Sequence, residues 1–418
     1  MKIFSYKNKL KNQEVHIFAV LIIHKMEKLF DNTEVAFALK SDKELRRAQF
    51  LFKMISHPSM VKIGTSLTHF AIKTKLPVKG LIRSTVFDHF CGGVSEDDCL
   101  KVVDKMYNKG GVSSVLDYSV EGKETEEQFD AAEQMTIKTI YFAKERQAIP
   151  FAVFKPTGVG RFDLYVKVGE KQPLSEDEKN EWNRIVQRFD NICRQAYEND
   201  VKLLIDAEHS WMQDAADDLT LDMMRKYNKE KAIVYNTAQT YRWDRLDYIK
   251  KIHQIAMQEG FHIGLKVVRG AYMEIERERA QEKGYPSPIC ATKSQTDATF
   301  NNSVTYMLEN LNNKTALFAG THNEESTYLV MNIMQQNGIS PDDDRVWFGQ
   351  LYGMSDNISY NLAKNGYHVA KYLPFGPVYD VMPYLIRRAE ENTSVAGQTN
   401  RELDLIEKEI KRRKSANR

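Results

Sequence analysis

Short apolar runs alternating with longer amphipathic stretches predict a (β/α)₈ barrel of the TIM type for most of this 418-residue chain. Three observations carry that expectation. Eight β-rich runs follow Gly111. Most are near-continuously apolar, as parallel strands covered on both faces are. Helical stretches such as Thr125–Glu145, Ser175–Glu198, Gln213–Lys229 and Arg245–Glu259 separate them. A doubly wound open sheet is the competing architecture, and it is weakened because no GxGxxG follows a first strand. Gly158-Val-Gly160-Arg-Phe-Asp163 lacks that spacing.

Residues 1–40 read as an N-terminal extension. Its run Ile17–Ile23 is apolar behind a basic start, but His24-Lys25-Met26-Glu27-Lys28 follows with no small-residue cleavage site. Secretion is therefore not expected, and Met26 offers an alternative start, with the first 25 residues a non-structural leader. Residues 41–111 form a helical region. Ser41-Asp-Lys-Glu44 has the spacing of a capping box, and Ser95 caps a helix ending near Gly110-Gly111. The barrel occupies 112–400. Its strands are expected at Val112–Tyr118, Phe151–Pro156, Val201–Glu208, Ala232–Ala238, His262–Arg269, Thr315–Thr321, Arg345–Leu351 and Val369–Leu373. Pro377 after Gly376 marks the start of the eighth helix, and Pro383 is expected to kink it. Residues 401–418 form a basic helical tail, expected as a solvated end.

A formal net charge of +2 gives no global basic field for nucleic acid. The four cysteines form no CxxC and show no zinc spacing with the ten histidines, so reduced thiols are expected. No run of 18 apolar residues offers a membrane span.

Polar residues cluster where the strands end: Lys155, Asp206 with Glu208, Thr237 with Gln239, Lys266 with Arg269, Thr321 with His322 and Asn323, Gln350 with Tyr352 on either side of Leu351, and Tyr372. In a barrel of this kind the C-terminal strand ends carry the chemistry. Asp206, Glu208, His209 and His322 could ligate a metal, but no HxH or HExxH spacing exists and nearby cations oppose it, so no metal is expected. The site reads as cationic, suited to an anionic ligand with phosphates and a small carboxylate. Tyr384, Arg387, Arg388 and Glu391 fall at i, i+3, i+4 and i+7, one face of a helix. Such Arg–Glu spacing is common on solvated helices, worth only about 0.3–0.5 kcal/mol. Paired guanidinium forks are also a socket for a carboxylate.

The segment Lys371–Asn392 closely resembles the C-terminal signature of proline dehydrogenase, and Asp206-Ala-Glu208, Lys266–Tyr272 and Thr321-His-Asn323 resemble its other blocks, in order, over about residues 41–400. The resemblance implies a distorted (β/α)₈ TIM-type barrel with an N-terminal helical extension, of the single-function form without an aldehyde dehydrogenase domain. It implies FAD as cofactor, L-proline as substrate and 1-pyrroline-5-carboxylate as product, hydride passing from proline C5 to flavin N5. Electrons then go to a membrane quinone, which implies a cytoplasmic protein in peripheral contact with the inner face of the respiratory membrane. By resemblance Arg387 and Arg388 hold the proline carboxylate, braced by Glu391. Tyr384, Leu351 and Tyr372 wall the pocket, and Lys155 and Asp206 are partners beside flavin and substrate. Arg269, Gly270, Ala271, Thr321 and His322 match flavin contacts, joined by Asn323, Thr292 and Lys293. Lys266 stands where many bacterial members carry arginine, and Thr237 where they carry glutamine, so Thr237 or Gln239 takes that contact. Met273 replaces a tryptophan of the large bifunctional members. Hydroxyproline dehydrogenase is the alternative within the resemblance, disfavoured by the bulk of Tyr372. Outside it stand a sister flavin barrel such as methylenetetrahydrofolate reductase, a non-catalytic anion-binding barrel, and a metal-dependent hydrolase.

Overall fold

The computed structural model describes residues 29–57, 80, 83–119, 123–394 and 396–416; the side chains at 84–85 and 389–398 lie outside that set. The leader expected before Met26 also lies outside it. Eight parallel strands close a barrel in chain order: β1 Ser113–Tyr118, β2 Phe151–Phe154, β3 Lys202–Ile205, β4 Val234–Gln239, β5 Ile263–Val268, β6 Thr315–Gly320, β7 Val346–Leu351 and β8 Val369–Phe375. All eight overlap the predicted runs, with β4 running one residue past its expected end, to Gln239, and β8 two, to Phe375. β2 and β3 stop short of the expected ends because Pro156 opens a short 3₁₀ turn and the polar residues from Asp206 leave the strand.

Register places the site. β8 pairs with both neighbours at Tyr372, opposite Val115 of β1 and Leu351 of β7. The β2–β3 pairing ends at Phe154 opposite Ile205, and the Asp206 N–H then donates to the Phe154 carbonyl at 3.0 Å, leaving Lys155 beside Asp206. Inside the barrel Phe151 meets Tyr235, Phe318 and Trp347 edge to face, with centroids 5.2–5.7 Å apart. Gly349 makes room for that plug, since a Cβ there would stand 2.1 Å from the Phe318 ring. The helices pack outside, against Leu116, Leu203, Leu265 and Leu317.

Three expectations are corrected. Residues 29–40, placed in an extension, are built into the barrel. Phe30 is fully buried in the main core with its ring 4.4 Å from that of Tyr328. The tail is not a solvated end. In the helix Ala396–Ala416, Leu405 and Ile406 are buried, and Arg413 donates to the carbonyls of Phe37 and Lys40 at 2.8 Å. Pro377 opens a turn rather than the eighth helix, which runs Met382–Ser394. Pro383 therefore sits in the first turn, where a missing N–H leaves no hydrogen bond unmade, and no kink follows from it.

Candidate active site

Two carboxylates and two ammonium groups meet at the floor of the barrel mouth. Lys266 Nζ donates to Asp206 Oδ1 and, at 2.7 Å, to the Tyr372 hydroxyl. That hydroxyl donates to Asp206 Oδ1 at 3.4 Å. Lys155 Nζ stands 3.5 Å from Asp206 Oδ2 and 3.6 Å from Asp117 Oδ1. Ser119 Oγ donates to the other Asp117 oxygen at 2.6 Å. Burial opposes the Asp206 charge, yet the ammonium groups of Lys266 and Lys155 hold its carboxyl below the usual range. Burial pulls the Lys266 pKa down, with Asp206 opposing it. Burial also raises the Tyr372 phenol well above its ordinary value, with Asp206 adding to it. The charges at this floor balance, so the cationic reading belongs to the rim.

Asp117 was missed by sequence reasoning. The available signal was a lone acid one residue from the end of an apolar strand, inside the run Ser113–Tyr118.

The candidate cofactor residues fall in two groups. Arg269 donates from Nε to Asp297 at 2.8 Å, and from its two terminal nitrogens to Thr321 Oγ1 and Ser326 Oγ, both at 2.9 Å. Lys293 also pairs with Asp297, at 2.6 Å. Thr292 caps the helix Lys293–Glu309 and Asn323 caps Glu324–Gln336, so both helix N-termini belong to this group. Gly270, beside Ala271, has φ +131°, and a Cβ there would lie 2.6 Å from the Tyr241 ring. On β4, Thr237 donates to the Ile205 carbonyl at 2.7 Å and Gln239 to the Ala207 carbonyl at 3.3 Å. Those bonds tie β4 to the end of β3, next to Asp206.

His322 accepts at Nε2 from the Leu351 N–H at 3.4 Å and lies 2.9 Å from Ser355 Oγ through Nδ1. Burial, with the charges of Lys371, Arg388 and Arg269 added, pushes its pKa down to about 3. Leu351 joins two clusters, packing on Tyr372 inside the barrel and on the group holding Tyr384, Leu385 and Met354 above it. Tyr384 is buried, and the Arg388 guanidinium carbon lies 5.4 Å from its ring centroid. Arg387 is half-buried on the same helix, and the Glu391 side chain lies outside the described residues.

The four residues considered for a metal are committed to different partners. Asp206 holds the lysines, Glu208 accepts from Thr157 N and Oγ1 at 3.0 and 2.7 Å, and His209 stacks on Trp211 with centroids 4.4 Å apart. His322 serves Ser355. Among the described residues no group of three or more acid, histidine or cysteine ligands is assembled.

A closed parallel barrel with its ionic groups gathered at the strand C-termini defines a (β/α)₈-barrel enzyme. A proline dehydrogenase family model matches residues 99–401, and the chain belongs to that family. The carbapenem antibiotics biosynthesis protein CarD of Pectobacterium carotovorum is 39% identical over 307 residues, covering 73% of this chain and 78% of its own. Human mitochondrial proline dehydrogenase 1 is 42% identical over 253 residues, but the alignment covers 59% of this chain and 42% of the human protein. Proline utilization A from Bdellovibrio bacteriovorus, in a structure inactivated by N-propargylglycine, superposes with a TM-score of 0.66 at 21% identity, over 88% of this chain and 37% of that one. That likeness is one of fold.

Proposed function

We propose that the chain oxidises L-proline to 1-pyrroline-5-carboxylate with FAD, electrons leaving for a quinone. The observation that carries the reading is Leu351, which joins the Tyr372 floor to the Tyr384 wall beneath Arg388. The reading puts a small ring against those apolar faces, with its carboxylate toward the arginines.

Arg387 and Arg388 grip that carboxylate through planar forks and so fix which ring carbon faces the floor. Holding a reactant in a near-attack pose supplies roughly 7–11 kcal/mol. Tyr372 is a stiff wall, because its hydroxyl is held between Lys266 and Asp206. Its bulk crowds a 4-hydroxyl, which favours proline over hydroxyproline. The ring nitrogen must keep its lone pair for hydride to leave C5, so the reactive amine is neutral and the rate rises with pH until it has deprotonated.

The donor chemistry of the rim fits an anionic dinucleotide. Arg269, Lys293 and two helix N-termini suit a pyrophosphate. Lys266, Gln239, Thr321 and Asn323 offer donors to a flavin ring or ribityl chain, Thr237 a hydroxyl oxygen that can still accept, and Gly270-Ala271 a close backbone approach. When bound, FAD supplies the hydride acceptor at N5 and passes the electrons on. A quinone acceptor puts the protein at the cytoplasmic, inner face of the respiratory membrane as a peripheral partner. Among the described residues no helix is long and apolar enough to cross a membrane.

The test is spectroscopic. The purified protein is expected to show a flavin band that L-proline bleaches without oxygen, and Arg387→Ala and Arg388→Ala to lose that bleaching. A colourless protein, or bleaching by NAD(P)H and not by proline, overturns the reading.

A further inference from the structure

We infer that Glu402, on the C-terminal helix Ala396–Ala416, is a positioning residue for the substrate pocket, acting through Ser355 and His322 on the wall residue Leu351. The inference rests on the proposed proline pocket.

The chain of contacts is short and buried. Glu402 is 7% exposed, and its Oε2 accepts the Ser355 N–H at 2.9 Å across 47 residues of sequence. Ser355 is not glycine, yet it holds a left-handed conformation at φ 50°, ψ 44°. A residue that disfavours this region stays there only when its surroundings hold it. The Glu402 bond is one such restraint. In that conformation Ser355 Oγ meets His322 Nδ1 at 2.9 Å. Since His322 Nε2 accepts from the Leu351 N–H, Nδ1 carries the proton and donates to Ser355. The low His322 pKa keeps the ring neutral, with Leu351 on Nε2 and Ser355 on Nδ1 both favouring this tautomer.

The rest of the turn is held independently. Lys371 Nζ donates to the Met354 carbonyl at 2.6 Å and pairs with Asp356 at 2.8 Å, and Lys40 pairs with the same carboxylate at 3.0 Å. His89 contacts the Gly353 carbonyl at 3.0 Å. Removing Glu402 therefore leaves the turn in place and takes away the restraint on the Ser355 N–H, the bond next to the one that orients His322. Burial, then the Asp356 charge, pushes the Glu402 carboxyl up to about 7 against the Ser355 bond. Charged or neutral, it still accepts that N–H, and glutamine can do the same.

The experiment compares wild type, Glu402→Leu, Glu402→Gln, Ser355→Ala and the Leu/Ala double variant. It reads KM and kcat for L-proline together with melting temperature. Glu402→Leu and Ser355→Ala are each expected to raise KM about tenfold with kcat nearly kept, because a mobile wall loosens substrate and transition state alike. Glu402→Gln is expected to match wild type, and the double variant to be no worse than the poorer single, as members of one chain behave. A merely structural role would lower melting temperature without moving KM; that result, or additive effects, overturns the inference. If Glu402→Leu does not fold, Ser355→Ala decides, and an unchanged KM there overturns it. Should wild type fail to oxidise proline, the functional reading fails separately. Histidine ¹⁵N spectra still test the relay: one Nδ1–H resonance shared by wild type and Glu402→Gln, shifted in Glu402→Leu and Ser355→Ala as its acceptor is displaced or lost. Identical spectra in all four overturn it.

Discussion

Asp206 faces both Lys155 and Lys266, and Lys266 is 7% exposed at its side chain, so removing the carboxylate strands a buried ammonium. Asp206→Asn is expected to lower stability by about 3–5 kcal/mol, measured by urea unfolding, because half of a buried pair is left behind. The same pairing sets a pH dependence. The folded carboxyl titrates below its unfolded value, so its contribution is full above about pH 4 and fades as pH falls through the folded value. Melting temperature should therefore fall from pH 5 to pH 3 in wild type and fall less in Asp206→Asn; equal slopes would count against the pairing. Tyr372 carries the substrate prediction: Tyr372→Ser should raise kcat/KM for trans-4-hydroxyproline relative to proline, and an unchanged ratio would remove it as the selector. Most of these residues were legible because each stands at the end of an apolar run. Asp117 was not, since its run continues through Tyr118 and its pairing with Lys155 is made between strands.

At the scale of elements, strands were the most legible feature. A parallel strand covered on both faces needs apolar residues throughout, and four to seven such residues between polar segments leave little choice. The eighth helix was less legible. Whether Pro383 kinks a helix or opens it depends on where that helix begins, and the turn after Pro377 delays its start to Met382. Pro383→Ala should thus change stability by no more than about 1 kcal/mol and leave proline turnover intact; a loss of turnover like that of Arg388→Ala would restore a shaping role. Gly270→Ala is expected to behave oppositely. At φ +131° against the Tyr241 ring, a methyl group forces the turn after β5 to move. A cost of about 1–3 kcal/mol and reduced flavin content are expected.

Across the whole molecule, the two ends of the described chain hold each other. Arg401 bridges Asp31 and Glu324, Arg413 reaches the carbonyls of Phe37 and Lys40, and Phe30 fills the main core. The cluster of Phe37, Leu45 and Phe52 with Val381, Tyr384 and Leu405 joins the N-terminal helices to the helix bearing the arginines. Phe30→Ala should cost about 3–5 kcal/mol by calorimetry. A near-neutral result would return residues 29–40 to the status of an appendage.

The sequence by itself determined the number and order of the strands, the polar residues at their ends, and the helical spacing of Tyr384, Arg387 and Arg388 on the helix Met382–Ser394. Those depend on local pattern, which short-range sterics and side-chain burial read directly. Tertiary structure alone decided which charges pair, that Asp117 joins Lys155, that the two ends of the described chain hold each other, and that Glu402 reaches Ser355. Those contacts join residues tens to hundreds of positions apart, and only the closing of the barrel brings them within hydrogen-bond distance.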